Sequence, residues 1–334
     1  MTRTVEAQYD NTGRNLVLME ETLALLARTR QAGLFPLVVK GAWRLLSGTA
    51  AWEERRLSDV DLLIRPAEEK KFTALLLANG YRLLPSRGLL FGRPSGSGAV
   101  LDVATGIWYQ DREKDFLALW DTRETCCCQG QEVAGLSREE HFIYSGVHAV
   151  VHHGCRDERW MFELKYDLAA LGQKKAVVDR IACYGMSIPF DFIFAHLEKQ
   201  GAPLAAWYRA ALERTAQGCR GSRGRFPWWQ KKSYGEIFRP GRPPGVSYAG
   251  EARQYIFHGP TGKAARALWG LVFPSRRELQ RKYQGEEAGR GWPRLYAWRL
   301  GRLVQAAWSS FQRERKIKNH SPAEKNPDIN PLIG

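Results

Sequence analysis

The chain predicts an α+β fold, with a sheet-bearing first part over residues 1–136 and a mainly helical remainder over 137–334. Three observations carry this expectation. Up to residue 136, short apolar runs alternate with turns marked by Gly, Pro and Asn. One of those runs, Leu57-Ser58-Asp59-Val60-Asp61-Leu62-Leu63-Ile64, sets acidic against apolar side chains at the period of a strand. Ser137-Arg138-Glu139-Glu140 then matches a capping box ahead of an apolar helical stretch.

The elements follow in order. Residues 15–33 show helical periodicity through Leu16, Met19, Leu23 and Leu26 and end at a glycine. Residues 34–40 read as a short buried strand, after which Gly41-Ala42-Trp43-Arg44 opens a helix. The aspartate strand covers 57–65; Pro66 starts a helix through Ala78 that Asn79-Gly80 closes. Further strands are expected at 81–84, 89–91 and 99–104, with a hairpin over 125–134 around Gln129-Gly130. In the helical part, one helix runs to about His153 and a second covers 158–171. The Gly-, Pro-, Arg- and Trp-rich stretch 218–250 reads as a long loop and 292–318 as an amphipathic helix. The tail from about 319 reads as disordered.

The charge of this 334-residue chain is uneven. Its net +15 lies in the last third: residues 1–136 carry 17 basic and 17 acidic side chains, whereas 212–334 carry 24 against 9. Such a surface attracts polyanions, whether nucleic acid, anionic lipid or substrate phosphate. Aromatics interleave with the charge at Phe226, Trp228 and Trp229 and again at Trp292, Trp298 and Trp308. A core-facing helix with solvated arginines, an anionic membrane surface bound through 212–318, and nucleic acid bound there all stay open. Six cysteines, three of them consecutive at 126–128, form no disulfide framework and no CxxC metal motif. The first residues show no basic-then-apolar leader, and no run of about 18 apolar residues occurs. A cytoplasmic protein is expected, with the inner face of the membrane as an option.

Asp59 and Asp61 point to one face of their strand, roughly 6–7 Å apart. Burying two carboxylates side by side is unfavourable unless a cation lies between them, and a divalent ion such as magnesium is the simplest one. Lys40-Gly41 closes a strand and opens a helix, where free backbone N–H groups and a lysine suit phosphate. Asp102, in Ala99-Val100-Leu101-Asp102-Val103-Ala104, is a third acid centred in an apolar strand. None of these signals is strong alone; in this order they reinforce one another.

Through VVKGAWRLL, RRLSDVDLLIRP and VLDVATGIWY the chain resembles the nucleotidyltransferase superfamily with a DNA polymerase β-like palm, and most of all its uncharacterised bacterial branch. The likeness continues through LSREEHFIYSGVHAVVHHGCRDERWMFELKYDLAAL and more faintly in LVFPSRRELQRKY. The resemblance implies a palm of mixed sheet with flanking helices. It implies that Asp59, Asp61 and Asp102 hold two Mg²⁺ ions (or Mn²⁺) and act in catalysis. It also implies that Lys40 and Gly41, with Ser58 and Arg56, receive the phosphates of an NTP co-substrate such as ATP. For Arg56 a solvated charge is an equally good reading. Where the wider superfamily favours Gly-Ser at the helix start, this chain has Gly41-Ala42, and Lys40 is the compensating group.

His148, His152 and Asp167 of the helical part are candidates for the acceptor side. A zinc site with Asp167 or Cys155 as third ligand and a plain packing role are the alternatives. The expected reaction moves a nucleoside monophosphate from the NTP to an acceptor hydroxyl or phosphate with release of pyrophosphate. The acceptor, whether small molecule, saccharide, peptide or tRNA, is not written in the sequence. The alternative is a non-catalytic nucleotide-binding module that docks on nucleic acid or membrane through its basic last third.

Overall fold

A computed structural model describes residues 5–53, 56–84, 88–94, 100–107, 109–110, 113–155, 158–172, 174–201, 208, 227–238, 273, 296–297 and 301. By its contacts the chain divides into two compact units, Met1–Leu268 and Trp269–Gly334. All the elements below belong to the first. The helix expected over 292–318 lies outside the described residues except for Tyr296, Ala297 and Gly301, and the tail from 319 lies wholly outside them.

The centre is one mixed seven-stranded sheet. Its strands are β1 (Leu37–Val39), β2 (Asp59–Leu63), β3 (Arg82–Leu83), β4 (Leu89–Gly92), β5 (Val100–Ala104), β6 (Glu124–Cys128) and β7 (Gln131–Gly135), in the order β3-β4-β5-β2-β1-β7-β6. β2 runs parallel to β5 and antiparallel to β1, while β1 runs parallel to β7. The mixed palm implied by the resemblance is therefore the observed fold. The β6–β7 hairpin turns at Gln129 and Gly130, both with positive φ (49° and 73°), the mirror-image turn whose twist matches paired strands.

Alternation along the central strands gives each sheet face its own core. Val38, Val60, Leu62, Leu101 and Val103 bury one face with Met19 and Leu23 of α1 (Val5–Gln31), Trp43 of α2 (Lys40–Leu46), and Phe72 and Leu76 of α3 (Glu69–Ala78). Leu37, Val39 and Leu63 point the other way, into a core built with α5 (Arg138–Val147), α6 (Glu158–Ala169), α7 (Lys174–Cys183) and α8 (Ser187–Lys199). Asp59, Asp61 and Asp102 share the parity of Leu63, so they face this helical side. Trp43 packs flat on β7: a Cβ added at Gly135 would lie 2.2 Å from its ring, so only glycine fits there.

Pro66 begins a single 3₁₀ turn (Pro66–Glu68), capped by Arg65 and Glu68, that leads into α3. Ser137 caps α5 by accepting from Glu140 N, but the Glu140 carboxylate does not reach back; it accepts from Tyr184 Oη at 2.9 Å and pairs with Arg180. Besides the short helix α4 (Glu113–Leu117), α7 and α8 add to the helices expected, and each of these two ends at a left-handed glycine, Gly185 (φ 68°) and Gly201 (φ 79°). The stretch 218–250 is corrected in part: Pro227–Ile237 is a helix, begun by a proline and pinned to α8 by the fully buried Tyr234, whose ring lies 6.2 Å from Phe192. Tertiary burial outweighs the loop-like composition around it. Among the described residues no helix is long and apolar enough to cross a membrane.

Candidate active site

β2 and β5 lie side by side in parallel register, with Asp61 opposite Asp102 and Asp59 opposite Val100. Strand parity and this register place all three carboxylates on one face, as the alternating pattern of β2 predicts. Ser58 Oγ donates to Asp59 Oδ1 at 2.9 Å. Asp61 is the most buried of the three. Burial, with Asp59 and Asp102 nearby, lifts its carboxyl to about 6, against the opposing pull of Lys40.

Lys40 stands at the joint of β1 and α2 with a left-handed backbone, φ 55°. Few non-glycine residues adopt that conformation, and it turns the side chain toward the acids. Its Nζ donates to Asp61 Oδ1 at 2.5 Å and lies 5.8 Å from the centre of the Tyr144 ring. Burial works against the ammonium, but Tyr144, Asp61 and Asp102 raise it net, so Lys40 stays charged. Among the described residues no three His, Cys, Asp or Glu side chains stand together as a ready-made ion cage. Lys40 is the cation that Asp61 holds in this structure.

A cleft of about 230 Å³ opens beside this pair. One wall carries Lys40, Gly41, Ser58, Asp59 and Asp61; the other carries Ser145, His148, His153, Trp160 and Glu163 from α5, α6 and the turn after α5. That turn, His148–His152, is π-helical. His148 thus lies on the cleft, and the described part of His152 is backbone within the π turn. Arg56 is exposed just before β2 and does not line the cleft.

Asp167 is placed behind the cleft wall rather than on it. It takes a hydrogen bond from Arg44 Nη1, and Arg44 also reaches Glu163 O at 3.3 Å. His141 Nδ1 lies 3.7 Å from Asp167 Oδ2, and its Nε2 is 3.4 Å from Lys40 O. Burial raises the Asp167 carboxyl to about 6 against the pull of Arg44. Burial and then the Arg44 cation lower His141 to about 4, so that ring is neutral near pH 7. This network ties α2, α5 and α6 together directly under the left-handed Lys40.

Arg44, Tyr144, Trp160 and Glu163 escape a sequence reading. Arg44 sits one turn after Lys40 and looks like a solvated helix charge. Only the spacing of His148 and His153, five apart, hints at a π turn, and α periodicity hides it.

No curated protein matches the chain. Among solved structures, an antigenic nucleotidyltransferase-like protein from Paracoccidioides brasiliensis is similar at 19% identity, over 61% of this chain and 93% of that one, with a TM-score of 0.43. The model of the uncharacterised nucleotidyltransferase family matches residues 3–199. That span holds the aspartate strands, the Lys40 joint and the helical wall of the cleft, and with it matched over more than half its length the chain belongs to this nucleotidyltransferase family.

Proposed function

We propose that this protein transfers a nucleoside monophosphate from an NTP to an acceptor hydroxyl or phosphate and releases pyrophosphate. The observation that carries the reading is the placement of Asp59, Asp61 and Asp102 on one sheet face, with Asp59, Asp61 and Lys40 lining a cleft, in a chain of this family.

The donor chemistry suits a hard divalent cation, although the three carboxylates do not stand as a ready cage: all are carboxylate oxygens, and buried Asp61, with Asp59 and Asp102 nearby, already takes a cation in Lys40. Asp59, Asp61 and Asp102 would hold the Mg²⁺ ions, which when bound neutralise the leaving pyrophosphate and make the attacking hydroxyl more acidic. Lys40 is the group that exchanges, giving up Asp61 and turning its ammonium to the NTP phosphates next to the Gly41 backbone. Asp102, beside Asp61 in the register of β2 and β5 but not among the residues that line the cleft, would take the proton of the attacking group. Ser58 holds Asp59 in orientation. The wall of α5 and α6 faces Asp59 and Asp61 across the cleft. The reading supposes a cytoplasmic enzyme supplied with NTP, and the basic residues 212–318, almost all outside the described part, as the surface that meets a polyanionic acceptor or membrane.

One observation favours a second reading. If the Lys40–Asp61 pair never opens, the cleft binds nucleotide without chemistry. Pyrophosphate release from γ-labelled NTP with Mg²⁺, measured with candidate acceptors for the wild type and Asp61→Asn, separates the two. Metal-dependent release by the wild type alone supports the transferase; equal release by Asp61→Asn removes the assignment.

A further inference from the structure

The wall opposite the carboxylates carries three rings, those of His148, His153 and Trp160. α5 leaves α geometry at His148, and His153 N donates to His148 O at 3.1 Å to close the wider turn. Residues five apart on an α-helix stand about 140° apart around its axis, so their side chains do not meet. The π turn brings them round, and His148 Nε2 comes within 2.9 Å of His153 Nε2. Irregular turns of this kind are uncommon and cluster at functional sites. Trp160 of α6 lies against both imidazoles, its ring centre 4.7 Å from that of His153 and 6.2 Å from that of His148. Tyr144 stacks on His148 at 6.4 Å and 25°, and the same phenol ring lies beneath the Lys40 ammonium. An unbroken series of π systems therefore leads from the phosphate-side cation into the depth of the cleft. Nothing in phosphoryl transfer uses these faces.

We propose that Trp160, supported by the His148–His153 pair, is the platform on which the nucleobase of the NTP stacks while its phosphates lie at Lys40. Every base has a π face, so such a platform binds nucleobases with little regard to sequence of ring substituents. The inference rests on the phosphate assignment made above, and the two separate by experiment. Affinities of ATP and of inorganic tripolyphosphate, each with Mn²⁺, are measured by calorimetry for the wild type, Trp160→Ala and Trp160→Phe. The expected result is an ATP affinity about 10- to 100-fold weaker in Trp160→Ala, an unchanged tripolyphosphate affinity, and near recovery of ATP binding in Trp160→Phe. Equal losses for both probes, or no loss of ATP binding, would overturn the platform and leave the phosphate site standing. Binding of neither probe by the wild type would remove the phosphate site and the platform with it.

Discussion

Lys40 Nζ donates to Asp61 Oδ1 at 2.5 Å, so the chain supplies its own cation to the most buried of three neighbouring carboxylates. Both side chains are largely shielded from water, at 16% and 11% exposure. Removing one member of such a pair strands the other. Lys40→Met should therefore lower stability by about 3 kcal/mol in EDTA, and millimolar Mn²⁺ should restore most of it by giving Asp61 a new counter-ion. Thermal melts with and without Mn²⁺ measure this. A loss that Mn²⁺ does not reverse contradicts the exchange of Lys40 for a metal.

The same pairing separates the acids. Asp61→Asn removes the partner of a buried ammonium and should destabilise by about 2–3 kcal/mol. Asp102→Asn relieves like-charge crowding around Asp61 without touching that bond, and should be neutral or stabilising by less than about 1 kcal/mol. Both should abolish metal-dependent transfer. The sequence shows the crowded carboxylates of β2 but not that Lys40, 21 positions before Asp61, pairs with it. Urea titrations of the two variants decide the order; equal stabilities count against the pair.

Gly135 lies under Trp43, and this contact belongs to packing rather than chemistry. Gly135→Ala should displace the indole and lower stability by about 1–3 kcal/mol while leaving nucleotide affinity within twofold. Denaturation and calorimetry together check it. A selective loss of nucleotide binding would show that α2 is more closely coupled to the site than its packing implies.

His141 gives the acid limb of stability. The folded protein keeps it neutral down to about pH 4, whereas the free side chain protonates near 6.5. Between those values the unfolded chain binds more protons, so this residue's contribution falls as pH drops, by up to about 3 kcal/mol. Asp61 and Asp167, both raised to about 6, act oppositely: the folded state binds their protons first, and their contribution falls as pH rises through 4–6. Comparing His141→Gln with the wild type isolates the histidine. The stability gap between the two at pH 7 should close by about 2 kcal/mol or more at pH 4.5; parallel curves would contradict its burial as a neutral ring.

Much of the fold is legible in local pattern. The period-two alternation of 59–64 sets which face the aspartates take, and Pro66 and Asn79-Gly80 bracket the helix between β2 and β3. Three features are not legible, for one shared reason. The Lys40–Asp61 bond, the Arg44–Asp167 pair and the His148–His153 contact each depend on backbone geometry that a repeat of 2.0 or 3.6 does not encode: a left-handed residue, a distant helix and a π turn. Tertiary burial likewise makes a helix of Pro227–Ile237 within a stretch whose glycines, prolines and arginines read as loop.

The most direct test of the central claim is Mn²⁺ binding followed by electron paramagnetic resonance, with and without ATP, for the wild type and Asp61→Asn. The wild type should take up Mn²⁺ tightly only when nucleotide is present, and Asp61→Asn should lose that uptake. Equal uptake by the two proteins in the presence of ATP would contradict that claim.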